Sequence, residues 1–185
     1  MPLQLIVEPP SCLAEYAVVS VAFEVRQRFD VARPHQTLPV DPPWVKDCDR
    51  IPGNHPIGWP SRFDVTKWCF AAAFDNGRRV GGAALVVDPR DVDGNSAQAG
   101  VALLWDLRVD CAHRRRGVGR ALLAFVEDHA RSRGCRAIRA ETQDINVPAC
   151  RIYASAGYSI AEVNRHAYPE LPDEVQLIWH RDVSC

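Results

Sequence analysis

Lysine is nearly missing from this chain: Lys46 and Lys67 are the only two among 22 basic residues, and the rest are arginine. Long apolar runs are missing too. No stretch approaches the roughly 18 residues that a membrane-crossing helix needs. The segment from Met1 to Pro10 shows no basic region followed by an apolar core, so neither an anchor nor a secretory leader is expected. An excess of charge is lacking as well: 22 Lys plus Arg stand against 23 Asp plus Glu, a net charge of -1. No overall field then draws in nucleic acid or a membrane surface, and an anionic ligand must be held locally. The seven cysteines, Cys12, Cys48, Cys69, Cys111, Cys135, Cys150 and Cys185, are odd in number and contain no C-x-x-C pair. That argues against a metal site and for free thiols in a reducing cytoplasm. His113, His166 and His180 show no ligand spacing with cysteine or acid, so no metal is assigned.

What is present suits one compact α/β domain: 185 residues, 47% of them apolar. Leu3 to Glu8 reads as a first strand, and Pro9-Pro10-Ser11 opens a helix over Cys12 to Phe23. Pro34 to Pro60 holds seven of the 14 prolines, a density that predicts an ordered loop without any long regular element, with Trp44, Trp59 and Trp68 as packing anchors. Trp68 to Phe74 and Arg79 to Val87 flank Asp75-Asn76-Gly77, a hairpin signal. Past the polar turn Asp93-Gly94-Asn95-Ser96, Val101 to Val109 reads as a central strand. Val118, Ala121, Leu122, Phe125, Val126 and Ala130 recur at helical spacing, with Gly134 as the stop. In Arg136 to Thr142 the residues Ile138, Ala140 and Thr142 share one face and Arg139 and Glu141 the other. Asn146 then caps a short helix ended by Gly157, and Tyr158 to Val163 and Val175 to Trp179 close the chain as strands.

The chemistry concentrates at Arg114-Arg115-Arg116-Gly117-Val118-Gly119-Arg120, between a strand end and a helix start. There up to four backbone N–H groups lack intrahelical partners, and the helix dipole adds positive potential. Two glycines let a phosphate approach the backbone, so a pyrophosphate suits the turn. The third glycine of a dinucleotide fingerprint and the Gly-Lys-Ser/Thr of a P-loop are both missing, which weakens those readings.

Around this turn stand Leu107-Arg108-Val109 upstream, and Glu141-Thr142-Gln143-Asp144-Ile145-Asn146 and Tyr153-Ala154-Ser155-Ala156-Gly157-Tyr158 downstream. At these distances the set resembles the GNAT acetyltransferase superfamily, best over Val101 to Val163. More narrowly, Glu141 to Cys150 together with Glu174-Val175-Gln176-Leu177-Ile178-Trp179 looks like streptothricin acetyltransferases. The resemblance implies a mixed, mainly antiparallel sheet flanked by helices and splayed between its two central strands. It also implies a variable part over 1–65, an acetyl-CoA-binding core over 66–164 and a C-terminal strand in 165–185. Strand 101–109 would bulge just after Asp106, and the backbone of Leu107 and Val109, about Arg108, would pair with the pantetheine arm. Arg114, Arg115, Arg116, Gly117, Val118, Gly119 and Arg120 would take the pyrophosphate, and Asn146 would reach the pantetheine or the thioester region. Tyr153 would protonate the departing sulfur, and the N–H of Leu107 would polarise the thioester.

Acetyl would pass directly from acetyl-CoA to a primary amine of a small molecule, such as a streptothricin-like cationic antibiotic. A protein amine and a non-catalytic CoA-binding module of the same fold are the alternatives, and exposed edge strands leave a homodimer open. Releasing the proton of an amine of pKa about 10.4 at pH 7 costs roughly 4.6 kcal/mol, more than the ~2 kcal/mol needed to protonate a thiolate from tyrosine. A carboxylate base is therefore expected, with Asp106 and Glu141 as candidates and Asp144 as a third. Asp106 and Glu141 also read as ion-pair partners of arginines, Asp144 as a loop residue, Tyr153 as a core residue, and Cys150 as a buried structural thiol.

Overall fold

The computed structural model describes residues 3–33, 36–92 and 98–184; the turn expected at Asp93-Gly94-Asn95-Ser96 and the thiol of Cys185 lie outside them. In chain order the elements are β1 (Gln4–Glu8), α1 (Leu13–Ala17), β2 (Phe23–Phe29), β3 (Thr37–Lys46), β4 (Trp68–Asp75), β5 (Arg78–Val86), β6 (Val101–Val109), α2 (Val118–Ser132), β7 (Ala137–Gln143), α3 (Val147–Ser155), β8 (Ser159–Asn164) and β9 (Gln176–Asp182). This is the expected α/β fold with mainly antiparallel strands. The chain divides into two compact units: one from the residues up to Val21, Asp47–Ile138 and the residues from Asp182, the other from Ala22–Lys46 and Arg139–Arg181.

In the first unit β1, β4, β5 and β6 lie in that order, each antiparallel to the next. The β4–β5 turn places Asn76 and Gly77 at φ 50 and 76, the left-handed pair that a tight hairpin of right-twisted strands requires. Helix α2 buries Val118, Leu122, Leu123, Val126 and Ala130, one face of a 3.6-residue period. Its approach depends on Gly81, where a Cβ would meet the Arg108 carbonyl oxygen at 2.9 Å and Leu122 Cδ1 at 3.0 Å. The next residue points to the opposite face. There a Cβ on Gly82 would lie 2.5 Å from Cε2 of Tyr16, which belongs to α1. On that face Tyr16, Trp59, Trp68 and Phe70 are buried together, with Phe63 and Trp105 packed against them. Trp59 Nε1 donates to the Asn54 carbonyl at 2.8 Å, so the buried indole keeps its hydrogen bond. Trp59 and Trp68 are thus the anchors expected of them.

The expected helix over Cys12 to Phe23 is far shorter. It ends at Ala17, because Val18, Val19 and Val21 are β-branched and disfavour its continuation, and β2 begins at Phe23.

In the second unit β2 and β3 pair antiparallel, β8 and β9 pair antiparallel, and β9 also neighbours β7. The ten-residue β3 overturns the expectation that Pro34 to Pro60 contains no long regular element. Register runs from Val25 opposite Trp44 to Gln27 opposite Pro39, so Val40, Asp41, Pro42 and Pro43 bulge opposite Arg26 alone. Two of the three prolines in β3 thereby sit where no ladder bond is required of them, on a two-stranded sheet with an open edge. Trp44 is 41% exposed and is not a packing anchor. In α3, Asn146 Oδ1 accepts the N–H of Ala149 at 3.2 Å, Pro148 lies in the first turn, and Gly157 at φ 87 follows the last turn, as expected.

Candidate functional site

Strand β6 carries the first part of the site. Ala84 pairs with Asp106 but Leu85 with Leu104, so Trp105 is an extra residue and the strand bulges there. The bulge lies at Trp105, before Asp106 where it was expected after it, and Leu107, Arg108 and Val109 continue in regular register. A bulge leaves the inserted residue without a cross-strand partner and re-aims the groups beside it.

Beyond β6, Asp110 fastens the exit of the strand. Its N–H donates to the Val80 carbonyl at 2.9 Å. Its Oδ1 accepts the Ala112 N–H at 3.1 Å and meets His113 Nδ1 at 2.8 Å. The His113 contact, followed by the Ala112 N–H, holds the Asp110 carboxyl below its ordinary 3.8. The Arg114 side chain turns back, with Nε donating to the Val109 carbonyl at 3.1 Å. Arg115 at φ 61 and Gly117 at φ 86 are both left-handed, so the backbone turns sharply just ahead of α2. Gly117 is the N-cap of α2 and has no side-chain cap; the Ala121 N–H returns to its carbonyl at 2.9 Å. The N–H groups of Val118 and Gly119 precede that bond, in the first turn where the helix itself supplies no acceptor. A Cβ at Gly117 would meet nothing within 4 Å, so this side of the turn is open. Arg115, Arg116 and Arg120 are exposed, while Val118 and Gly119 are buried.

Asp106 and Arg108 lie on one face of β6, two residues apart. Arg108 is 2% exposed, yet its guanidinium is fully occupied. Nε donates to Asp106 Oδ2 at 2.7 Å and Nη2 to Oδ1 at 3.3 Å. Nη1 and Nη2 reach the two oxygens of Asp49 at 3.2 and 3.3 Å, and Nη1 also donates to the Val19 carbonyl at 3.0 Å. The guanidinium carbon stands 4.8 Å from the centre of the Tyr16 ring, and the Tyr16 hydroxyl donates to Asp106 Oδ2 at 2.6 Å. Arg108 is held charged against its burial by Asp106, Tyr16 and Asp49. The ion-pair reading of Asp106 is therefore realised. The side chain of Arg108 turns away from solvent, which leaves only its backbone for a ligand.

In the second unit Glu141 is exposed at the end of β7 and accepts the Tyr168 hydroxyl at 2.7 Å. Burial, then the charge of Glu141, pushes that hydroxyl well above the ordinary tyrosine range, so it stays a donor. Tyr153 is 5% exposed on α3, its ring 5.5 Å from that of Tyr158 and 5.8 Å from that of Trp179. Asp144 is buried and structural. It pairs with Arg28 at 3.0 Å, accepts the Val175 N–H at 2.9 Å, and accepts the Phe29 N–H on its carbonyl at 2.7 Å. Cys150 is fully buried, and burial, then the charge of Asp144, pushes its thiol up to about 12, the inert structural thiol expected.

Sequence reasoning missed Tyr16, Asp49 and Tyr168. Tyr16 sits beside Leu13 on an apolar helix and carries no pattern of its own; Asp49 and Tyr168 lie in irregular segments. Among the described residues no helix is long and apolar enough to cross a membrane, and no group of three or more His, Cys, Asp or Glu is placed to hold a metal ion.

Comparison with known proteins places this geometry. Streptothricin acetyltransferase of Escherichia coli is 34% identical over 89 residues, 46% of this chain and 51% of that protein. [Ribosomal protein bS18]-alanine N-acetyltransferase of Escherichia coli (strain K12) is 35% identical over 68 residues, 37% of this chain and 46% of that protein. The chain thus spans about half the length of the curated relatives it matches. A solved structure from Bacillus anthracis str. Ames, assigned as a streptothricin acetyltransferase and in complex with acetyl coenzyme A, shares the fold: TM-score 0.77, 23% identity, covering 98% of this chain and 99% of that one. The Acetyltransferase (GNAT) family model matches residues 37–158, most of the chain. The chain belongs to the Acetyltransferase (GNAT) family.

Proposed function

We propose that this protein transfers the acetyl group of acetyl-CoA directly to a primary amine of a small cationic molecule, with a streptothricin-like antibiotic as the first acceptor to test. The observation that carries the reading is the turn at Arg115 and Gly117 on the N-terminus of α2. Its two left-handed residues, open Gly117 and exposed arginines suit a diphosphate. The backbone of Val118 and Gly119 and the charges of Arg115, Arg116 and Arg120 would hold that diphosphate. The main chain of Leu107 and Val109 would align the pantetheine arm, as the Asn146 amide would further along. Bound acetyl-CoA supplies the activated thioester and a thiol leaving group.

The remaining roles fall to this chain's own side chains. The N–H groups at the Trp105 bulge would polarise the acyl oxygen. Glu141, exposed and accepting one hydrogen bond, is the carboxylate suited to receive the amine proton. Asp106, tied by Arg108 and Tyr16, is suited to orient an ammonium. Tyr153 would return a proton to sulfur. A second reading, transfer to a peptide amine, is favoured by the likeness to a ribosomal-protein alanine N-acetyltransferase. The test is thiol release from acetyl-CoA in the presence of streptothricin-like amines, polyamines and N-terminal peptides. Release with the cationic small molecules supports the first reading, release with peptides alone the second, and release with none overturns both.

A further inference from the structure

We infer that Tyr16 is a positioning residue for the acceptor amine, fixing which oxygen of Asp106 meets it. The inference rests on the proposed acetyl transfer and extends the machinery to α1, outside the family-matched residues 37–158.

A carboxylate offers about four lone-pair sites. Both short bonds to Asp106 fall on Oδ2, from Tyr16 at 2.6 Å and Arg108 Nε at 2.7 Å, whereas Oδ1 receives only Arg108 Nη2 at 3.3 Å among the described residues. Oδ2 is spent and Oδ1 retains accepting capacity, on a side chain 17% exposed. Arg108 alone leaves the carboxylate free to rock about its long Oδ1 contact; the Tyr16 hydroxyl removes that freedom. Tyr16 is fully buried, and burial, then the Asp106 charge, pushes its hydroxyl well above the ordinary tyrosine range, so it donates and does not exchange a proton in the reaction. One guanidinium between Asp106 and Asp49 leaves one negative charge in excess, which a protonated amine balances. Gly82 completes the device, because only a residue without Cβ lets the Tyr16 ring settle onto β5.

The test is Tyr16→Phe in the full chain, which keeps the ring and removes the hydroxyl. We expect kcat/KM for the acceptor to fall about tenfold, the loss of one hydrogen bond to a charged group. The calorimetric Kd for the acceptor should rise in step, with the Kd for acetyl-CoA unchanged within twofold. In an Asp106→Asn background the same substitution should add nothing further. Gly82→Ala, which displaces the ring and keeps the hydroxyl, should reproduce the acceptor effect and serves if Tyr16→Phe does not fold. Unchanged acceptor constants in a folded variant, equal losses for acceptor and acetyl-CoA, or an undiminished effect in the Asp106→Asn background would each overturn the inference. A wild-type protein that acetylates no amine while binding acetyl-CoA would remove the proposed function, and the positioning role with it.

Discussion

Gly82 lies directly against the ring of Tyr16, so close that a single methyl would sit 2.5 Å from Cε2, while a methyl on its neighbour Gly81 would sit 3.0 Å from Cδ1 of Leu122 on the opposite face. Two adjacent glycines in one strand thus seat a helix on each side of the sheet, and each seat sets a part of the site. Gly82 seats the hydroxyl that reaches Asp106; Gly81 seats the first turn of α2.

Gly81→Ala should therefore destabilise the protein by about 1–3 kcal/mol, the range for overpacking a close contact, because the atom it meets first is the Arg108 carbonyl oxygen and cannot step aside. Urea melts measure the loss, and acetyl-CoA affinity should weaken with it as α2 shifts.

Arg108→Leu should cost about 3–5 kcal/mol, since it leaves Asp106 and Asp49 without the buried guanidinium that faces both. A melt shifted by only a degree or two would mean that water replaces the guanidinium cheaply.

Tyr153→Phe should leave acetyl-CoA affinity within about twofold and slow the chemical step by about 10²-fold or more, the usual contribution of a general acid. Single-turnover kinetics separates the two. An unchanged rate would leave Tyr153 as a core residue between Tyr158 and Trp179.

The Asp110 carboxyl is held below its ordinary 3.8, so its contribution to stability is complete above that value and is lost as pH falls through the lower folded value. Thermal melts of wild type and Asp110→Asn should accordingly differ from neutral pH down to about pH 4 and converge in stronger acid. A constant difference across that range would show that the carboxylate charge is not what fastens the loop.

Thiol labelling should rank the cysteines by burial. Cys111 is exposed, whereas burial pushes Cys12 and Cys69 up to about 11 and Cys150 up to about 12. At pH 8 a maleimide should therefore modify Cys111 ahead of the other described cysteines and leave Cys12, Cys69 and Cys150 intact in the folded protein.

The parts of this fold that were legible in the sequence are those that obey a local period. The β4–β5 hairpin is marked by its turn at Asn76 and Gly77, α2 and β7 repeat apolar residues at the spacing of their own geometry, and Gly134 and Asn146 mark the end of α2 and the start of α3. The turn ahead of α2 was legible because Arg114 to Arg120 is one continuous string holding two glycines. Illegible were the contacts between distant positions. Asp106 announces a carboxylate, yet nothing near it in sequence tells of Tyr16 and Asp49, 90 and 57 positions earlier. The bulge was expected after Asp106 and lies before it, because an inserted residue shows only in the pairing of β5 with β6. β3 was hidden by its prolines, which forbid donors but do not forbid extension.

Those prolines have a consequence for how the molecule behaves in company. The outer edge of a two-stranded hairpin invites another chain to add a strand, and ten residues is long for such an edge. Pro39, Pro42 and Pro43 offer no N–H along it, and the bulge from Val40 to Pro43 interrupts its line. A second copy arriving edge-on along β3 finds no continuous ladder to extend.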